Sequence, residues 1–442
     1  MDAREVALLT LNACQRQGGW SDGVLKKQLS TAGLDNRDAA LATQLCFGVV
    51  QNQFLLDFYL SNFSNIPLKR MEGKVIQALR LGAYQLLFMD KIPHSAAVNS
   101  SVDLVKRHCK NQRAVGMVNA VLRSLERSLD NLPVIPNHDT VNYLSILYSH
   151  PEWLVKEYMH ELDVDETTKL LAAHNAQPPM TVMVNTTKVT QEVLARELTA
   201  CGVEVQLHPW LSDCLILSKT GNLEHLRSFQ EGWFYVQDPA SRLAIQALDP
   251  QPGDKLLDCC AAPGGKSFAC AIAMKNEGNI ISCDLHPHKK KLIQAGANRL
   301  GLSCIEANTL DARTFREEWA GAFDKIVVDA PCSGLGVIRK KPDIRYKEPG
   351  ELDALPSIQL DILRNTCRYV KSGGTLLYST CTVRKGENEG VVNTFLNERP
   401  EFKAERFTLS GPAGACEDGM VTLWPHRHGT DGFFICKLRK EE

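Results

Sequence analysis

From Gly253 onward, short apolar runs alternate with longer amphipathic stretches, and this alternation restricts the fold more than any other feature of the chain. "KLLDCC" (255–260) precedes "GGKSFACAIAMK", "NIISCD" (279–284) precedes "PHKKKLIQAGANRLG", and "FDKIVVDA" (323–330) comes after them. The periodic stretch "LPSIQLDILRNTCRYV" then leads through "KSGG" into "TLLYST" (375–380). Strand–helix alternation of this kind predicts an α/β domain, with a Rossmann-like, mostly parallel sheet covered by helices on both faces.

The front of the chain has a different texture. Up to about residue 130, stretches such as "KVIQALRLGAYQLLFM" and "HSAAVNSSVDLVKRHC" space apolar residues three to four apart, as helices do, and Pro67 and Pro93 punctuate them. "DNLPVIPNHD" (130–139) reads as a linker. Two helical stretches come next, and then the short β-type runs "MTVMVNT", "VEVQLH" and "DCLILS", which predict a small α+β module. The expected division is 1–135 all-helical, 136–234 small α+β, and 235–442 α/β. A length of 442 residues suits two or three domains.

A net charge of −1 names no partner by itself. Residues 1–145 carry 16 Lys/Arg against 12 Asp/Glu, a net of +4, which leaves −5 for the remainder, so any nucleic-acid surface must be local. The 15 cysteines include no C-x-x-C pair, which argues against a zinc ribbon or a redox pair. Scattered thiols suit a reducing compartment. The start lacks the basic and apolar blocks of a signal peptide, and no apolar run approaches a membrane span. A cytoplasmic protein is expected, with no metal and no membrane partner, and it is read as a monomer.

Candidate chemistry lies at the strand ends, where parallel sheets bind ligands. "DCCAAPGGKS" (258–267) closes the first strand. It ends like a phosphate loop, Gly265-Lys266-Ser267, but Cys260 stands where that loop needs glycine, and the dinucleotide fingerprint G-x-G-x-x-G is absent. A tight turn without a ligand is the bland alternative. Asp284 ends the second strand, where an acid can accept ribose hydroxyls, although it can equally cap the next helix. Asp311 alone would be a turn residue. Taken in order, the glycine loop and the two acids point to a nucleoside ligand without a triphosphate, such as S-adenosylmethionine.

"CAAPGGK" (260–266), "DAPCSG" (329–334) and "STCT" (379–382) in this order resemble the motifs of the RNA cytosine-5 methyltransferases, without departure. The resemblance covers roughly 235–442. "IPHSAAVNSSVDLVK" and "MVNAVLR" extend it forward, since they are similar to the NusB-like helical domain of that family's RsmB (Sun, Fmu) branch, which acts on one cytosine of 16S ribosomal RNA. The resemblance implies a class I S-adenosylmethionine-dependent methyltransferase domain behind a NusB-like domain and an α+β RNA-binding module. By position, Cys260, Ala261, Ala262, Pro263, Gly264, Gly265, Lys266, Asp284, Asp311 and Asp329 would contact S-adenosylmethionine or its surroundings. Cys381 would be the nucleophile and Cys332 would assist product release, with Asp329 as the third catalytic group.

The chemistry explains the residue types. Carbon 5 of cytosine is a poor nucleophile until a thiolate adds at carbon 6, and cysteine serves as both attacker and leaving group. Asp329 is placed to stabilise the charge that grows on ring nitrogen 3. The usual fate of a cysteine is burial as a small hydrophobe, and that reading is kept for most of the other thirteen. For RNA, "VIRKKPDIRYK" offers Arg339, Lys340, Lys341 and Arg345, and the front offers Lys106, Arg107, Lys110 and Arg113, although solvated basic faces are common. The expected partner is 16S ribosomal RNA, naked or in early small-subunit assembly. Transfer RNA as substrate, or a non-catalytic RNA-binding adaptor, are the alternatives.

Overall fold

The apolar runs become strands because both faces of the sheet they build are covered, so consecutive residues at their centres are apolar and not alternating. The computed structural model describes residues 1–17 and 21–442. It separates into two compact units, one of Met1–Ala176 with Ile338–Lys347, the other of Gln177–Val337 with Glu348–Glu442.

The second unit opens with a β-α-β-β-α-β module. Its strands are β1 (Met180–Val184), β2 (Glu204–Leu207), β3 (Cys214–Ser218) and β4 (Phe234–Val236), in the order β2-β3-β1-β4, all antiparallel. This is a ferredoxin-like arrangement. Buried Asn185 fixes the module to the rest of its unit, because its amide donates to the carbonyls of Gly232 (3.0 Å) and Leu300 (2.9 Å).

The main sheet contains β5 (Lys255–Asp258), β6 (Asn279–Asp284), β7 (Ile305–Thr309), β8 (Phe323–Asp329), β9 (Val370–Thr380) and β10 (Phe402–Ala404). After a two-stranded ribbon of β11 (Phe407–Thr408) and β12 (Ala415–Cys416), it is completed by β13 (Met420–Leu423) and β14 (Phe433–Lys440). The order is β10-β14-β9-β8-β5-β6-β7, with β13 also on β14. β7, β6, β5, β8 and β9 run parallel, and β14 is antiparallel to β9. Leu256, Val327, Leu377 and Ile435 point to one face, under the helices Pro239–Leu248, Gly265–Ala273 and Pro287–Leu300. Leu257, Ile326, Leu376 and Phe434 point to the other, under Leu355–Thr366 and Glu389–Glu398. The strand order reverses between β5 and β8, and ligands collect at such a switch point.

Among the described residues, the regular elements of the first unit are all helices. Its central helix, Gly73–Phe88, is buried from Val75 to Leu86. The helices Thr140–Tyr148, Glu152–Glu161 and Val164–Asn175 also belong to it. The contact boundary therefore lies at Ala176/Gln177, whereas sequence texture suggested 135/136. The prolines of 130–139 interrupt helices without ending the bundle, and the β-type composition starts only at Met180. The expected boundary at 234/235 falls inside β4. Among the described residues, no single helix is long and apolar enough to cross a membrane.

Candidate active site

β5 and β8 end side by side, with Asp258 opposite Val327, while Asp329 at the end of β8 lies opposite Ser379 in β9. The loop after β5 turns at once into the helix Gly265–Ala273. Gly264 makes this turn at φ +116°, and a Cβ there would stand 2.4 Å from the Phe268 ring. Any side chain at 264 would be strained and would clash.

The loop, the strand ends and β14 enclose a cavity of about 250 Å³. Cys260, Ala261, Ala262, Pro263, Gly265, Lys266, Asp329 and Cys381 line it, as their motifs predict. Val236, Gln237, Asp238, Ser241, Asp258 and Phe433 line it as well. Sequence reasoning missed these six, which come from β4, the helix after it, β5 and β14 and converge only in three dimensions.

Lys266 and Asp329 form an ion pair at 2.6 Å, and the lysine is almost fully buried. Asp329 Oδ1 accepts the Ser379 hydroxyl at 2.9 Å, and the ammonium lies 4.9 Å from the centre of the Phe433 ring. Burial pushes the Asp258 carboxyl up to about 7, although the Ser267 hydroxyl, 2.7 Å away, opposes the shift. Burial also pushes the Cys260 thiol up, so it stays protonated and uncharged.

The two candidate thiols meet, with Cys332 Sγ 3.2 Å from Cys381 Sγ. Gly336 N–H donates to Cys381 C=O at 3.0 Å, and a Cβ on Gly336 would fall 1.9 Å from Gly432 O, so the Pro-Cys loop lies tight against the end of β9. The hydrogen bond to Cys381, then burial and the nearby Glu387 and Asp329 carboxylates, push the Cys332 thiol well above its ordinary value. Cys332 therefore remains a thiol.

Asp284 stands behind the loop, outside the lining of the cavity. It is buried, accepts Ala262 N–H and His286 N–H at 3.3 Å each, and has Lys289 Nζ at 3.5 Å. Asp311 is not brought to the cavity. Arg313 takes both its oxygens, at 3.0 and 2.7 Å, and holds the carboxyl below the usual carboxylate range.

The basic candidates divide. Arg345 is a correction: it is fully buried in the helical unit and does not face RNA. Its Nη1 donates to the carbonyls of Gln51 (3.1 Å), Tyr148 (3.1 Å) and Ser149 (3.2 Å) and to Asn175 Oδ1 (2.9 Å). Residues 338–347 are part of that unit, so this arginine serves packing there. Arg339 and Lys340 are half-buried and Lys341 is exposed. Lys106 pairs with Asp103 at 3.2 Å, and Arg107 pairs with Asp2 (3.1 Å) and Glu5 (3.0 Å). Lys110 and Arg113 are exposed.

Comparison with known proteins agrees with this architecture. A family model described as 16S rRNA methyltransferase RsmB/F matches residues 245–439, the NusB family matches 1–127, and a RsmF/B-like ferredoxin-like domain matches 150–224. The chain is 40% identical to the probable ribosomal RNA small subunit methyltransferase B of Bacillus subtilis, over 99% of this chain and 98% of that protein. It is 34% identical to the ribosomal RNA small subunit methyltransferase B of Vibrio cholerae, over 92% and 90%. Among solved structures, the protein PH0851 superposes with a TM-score of 0.81 at 27% identity, covering 100% of this chain and 99% of that one. A methyltransferase homologue from Pyrococcus horikoshii superposes at 0.60 with 26% identity, covering 70% and 100%.

Proposed function

The chain belongs to the ribosomal RNA small subunit methyltransferase B family, and from that premise we propose that it methylates carbon 5 of a cytosine in 16S ribosomal RNA, with Cys381 as the nucleophile. The observation that carries this reading is that Cys381 lines one cavity with the Lys266–Asp329 pair and has the Cys332 thiol 3.2 Å behind it. The cavity suits S-adenosylmethionine, since Gly265 lines it where a Cβ would stand 2.9 Å from Gln237 Nε2 on the same wall, and the buried Asp284 backs the loop. Residues 260–266 would hold that molecule, with Asp284 bracing the loop through Ala262 N–H, and when bound it supplies the methyl group that activated carbon 5 takes.

The protein's own groups supply the activation. The Cys381 thiolate adds to carbon 6 of the cytosine, and electron density moves to ring nitrogen 3. The proton shared between Lys266 Nζ and Asp329 Oδ2 moves toward that nitrogen as charge develops there. After methylation a base, water included, takes the proton from carbon 5, and the electron pair left behind expels Cys381. The Cys332 thiol, still protonated, donates to the departing sulfur and so favours release. The target base must leave its stack to reach the cavity, and the NusB-like and ferredoxin-like domains are suited to holding the RNA around it.

The test is covalent trapping on 16S ribosomal RNA with labelled S-adenosylmethionine. Cys381→Ala transfers no methyl group and leaves no protein–RNA adduct. Cys332→Ala accumulates an adduct that survives denaturing electrophoresis, and the double variant shows none. The opposite pattern, with Cys381→Ala trapping RNA, would overturn the assignment of the two thiols. Bisulfite sequencing of ribosomal and transfer RNA from a deletion strain identifies the substrate, and loss of a transfer RNA mark with an intact 16S pattern would overturn the ribosomal reading.

A further inference from the structure

Glu387 and Asn388 are consecutive, fully buried and outside the lining of the cavity, yet each reaches one of the thiol loops. Glu387 Oε2 accepts Ser333 N–H at 2.8 Å and the Gln359 amide at 3.0 Å. The same Gln359 nitrogen donates to Pro331 C=O at 3.0 Å. The backbone groups on both sides of Cys332 are thus held by one pair of side chains. Asn388 grips both sides of Cys381 in the same way: its Oδ1 accepts the Thr380 hydroxyl at 2.6 Å and its Nδ2 donates to Thr382 C=O at 3.1 Å. The Ser333 hydroxyl, 2.7 Å from that of Thr382, ties the two loops together.

Stability of the local fold does not account for this pair. Asn388 occupies the N-cap of the helix Glu389–Glu398, where an asparagine side chain normally accepts a first-turn N–H, and it makes no such bond. Glu387 is a carboxylate without exposure, its other oxygen 3.6 Å from Arg384 Nη1, and taking a charge out of water is costly. A forgone cap next to a buried charge breaks two local rules at once, and such breaches concentrate where function needs them.

We infer that Glu387 and Asn388 are positioning residues that set the two thiols at their 3.2 Å separation, with Glu387, through Gln359, aiming Cys332 for release and Asn388 aiming Cys381 for attack. The inference rests on the thiol roles proposed above. Neither side chain lines the cavity; each acts through the residues that flank a cysteine, and small displacements of reacting atoms cost large factors in rate.

The experiment compares Glu387→Ala, Gln359→Leu, Asn388→Ala and Cys332→Ala in the full-length chain, with 16S ribosomal RNA and S-adenosylmethionine, after circular dichroism establishes folding. Glu387→Ala and Gln359→Leu should accumulate the denaturant-resistant adduct, as Cys332→Ala does, although Cys332 is present. Asn388→Ala should form adduct about 100-fold more slowly, and none should accumulate. Glu387→Gln keeps an acceptor for Ser333 N–H and should abolish the accumulation. A readout independent of methyl transfer is disulfide closure by oxidised glutathione, in which the two thiols become one disulfide and each glutathione disulfide yields two glutathiones. Closure should be fast in the natural protein and slower in Glu387→Ala and Asn388→Ala. If Cys332→Ala traps RNA but Glu387→Ala and Asn388→Ala behave alike, the positioning inference is wrong. If Cys332→Ala traps nothing, the thiol roles fall instead, and the disulfide rates still decide whether this pair sets the spacing. Should Glu387→Ala fail to fold, Gln359→Leu decides the question.

Discussion

Arg345 and Lys266 are both cations taken out of water, one in the helical unit and one in the catalytic domain. The helical unit surrounds Arg345 with four backbone carbonyls and an amide oxygen, and burial lowers the guanidinium to about 10. The catalytic domain gives Lys266 a carboxylate at 2.6 Å, a hydroxyl at 3.4 Å and an aromatic face, and leaves the pair on the wall of a cavity. A guanidinium has five donors in a fixed fork and suits the satisfaction of several fixed acceptors. The ammonium beside a carboxylate is where the proposed proton transfer would start. Burial of a charge is therefore a poor sign of function by itself; a charged pair that opens on a cavity is the better one.

The sharpest way to break this comparison is to remove the proton. Lys266→Met should lower methyl transfer by about 10³-fold, the upper part of the range for a positioned acid–base group, with little loss of folding. Single-turnover kinetics at saturating S-adenosylmethionine read this directly. A rate within a few-fold of the natural protein would place Lys266 with Arg345 as a packing residue.

The reciprocal change should act on stability alone. Arg345→Met removes the donor shared by five oxygen acceptors in the interior of the helical unit, of which the Tyr148 carbonyl keeps side-chain donors from His150 and Asn175. A loss on the order of 3–5 kcal/mol is expected, as when a buried charged network is broken, seen as a lower unfolding midpoint. Turnover per folded molecule should be unaffected. An unchanged midpoint would mean that the arginine is not a structural centre of that unit.

These two residues also mark where the sequence was legible. The alternating domain could be read from its strands, because parallel strands covered on both faces are largely apolar, as in the LL of β5, the IVV of β8 and the LLY of β9. The loop 260–266 and the two cysteines could be read because their residues are local in sequence. Arg345 could not. It sits in "VIRKKPDIRYK", whose charges look like a nucleic-acid surface until the segment folds into the helical unit, and its partners lie at 51, 148, 149 and 175. Gln359, Glu387 and Asn388 were hidden for the same reason. Their partners are mostly distant in the chain, and the one visible trace is a run of polar residues, "ENE", set before an apolar helix.

Asp258 supplies an anionic counterpart to the comparison. Its carboxyl, near 7 in the folded state against an ordinary 3.8, keeps its proton where the unfolded chain has lost it. The folded state binds more protons between these values, so this group makes stability fall as pH rises from about 4 to about 7 and level off above. Asp258→Asn should remove that fall, gaining up to a few kcal/mol at pH 8 and nothing at pH 4. Denaturant midpoints measured at the two pH values check the sign, and equal gains at both would show that the carboxyl is not shifted.

The smallest expected effect concerns the exposed cations of the front, where the contrast between engaged and available charge recurs. Lys106 and Arg107 already face Asp103, Asp2 and Glu5, whereas Lys110 and Arg113 stand exposed on the same unit. A cation that must leave an acid before meeting a phosphate gains less from the exchange. Each phosphate contact contributes about 0.7–0.9 to the slope of log affinity against log salt. Neutralising Lys110 and Arg113 together should flatten that slope by up to about 2 units, if both meet RNA. Neutralising Lys106 and Arg107 should change it by less. Filter binding to 16S ribosomal RNA across a salt series separates the cases. Equal changes from both double variants would mean that the internal ion pairs open on binding, and that pairing in the free protein does not decide which cations meet RNA.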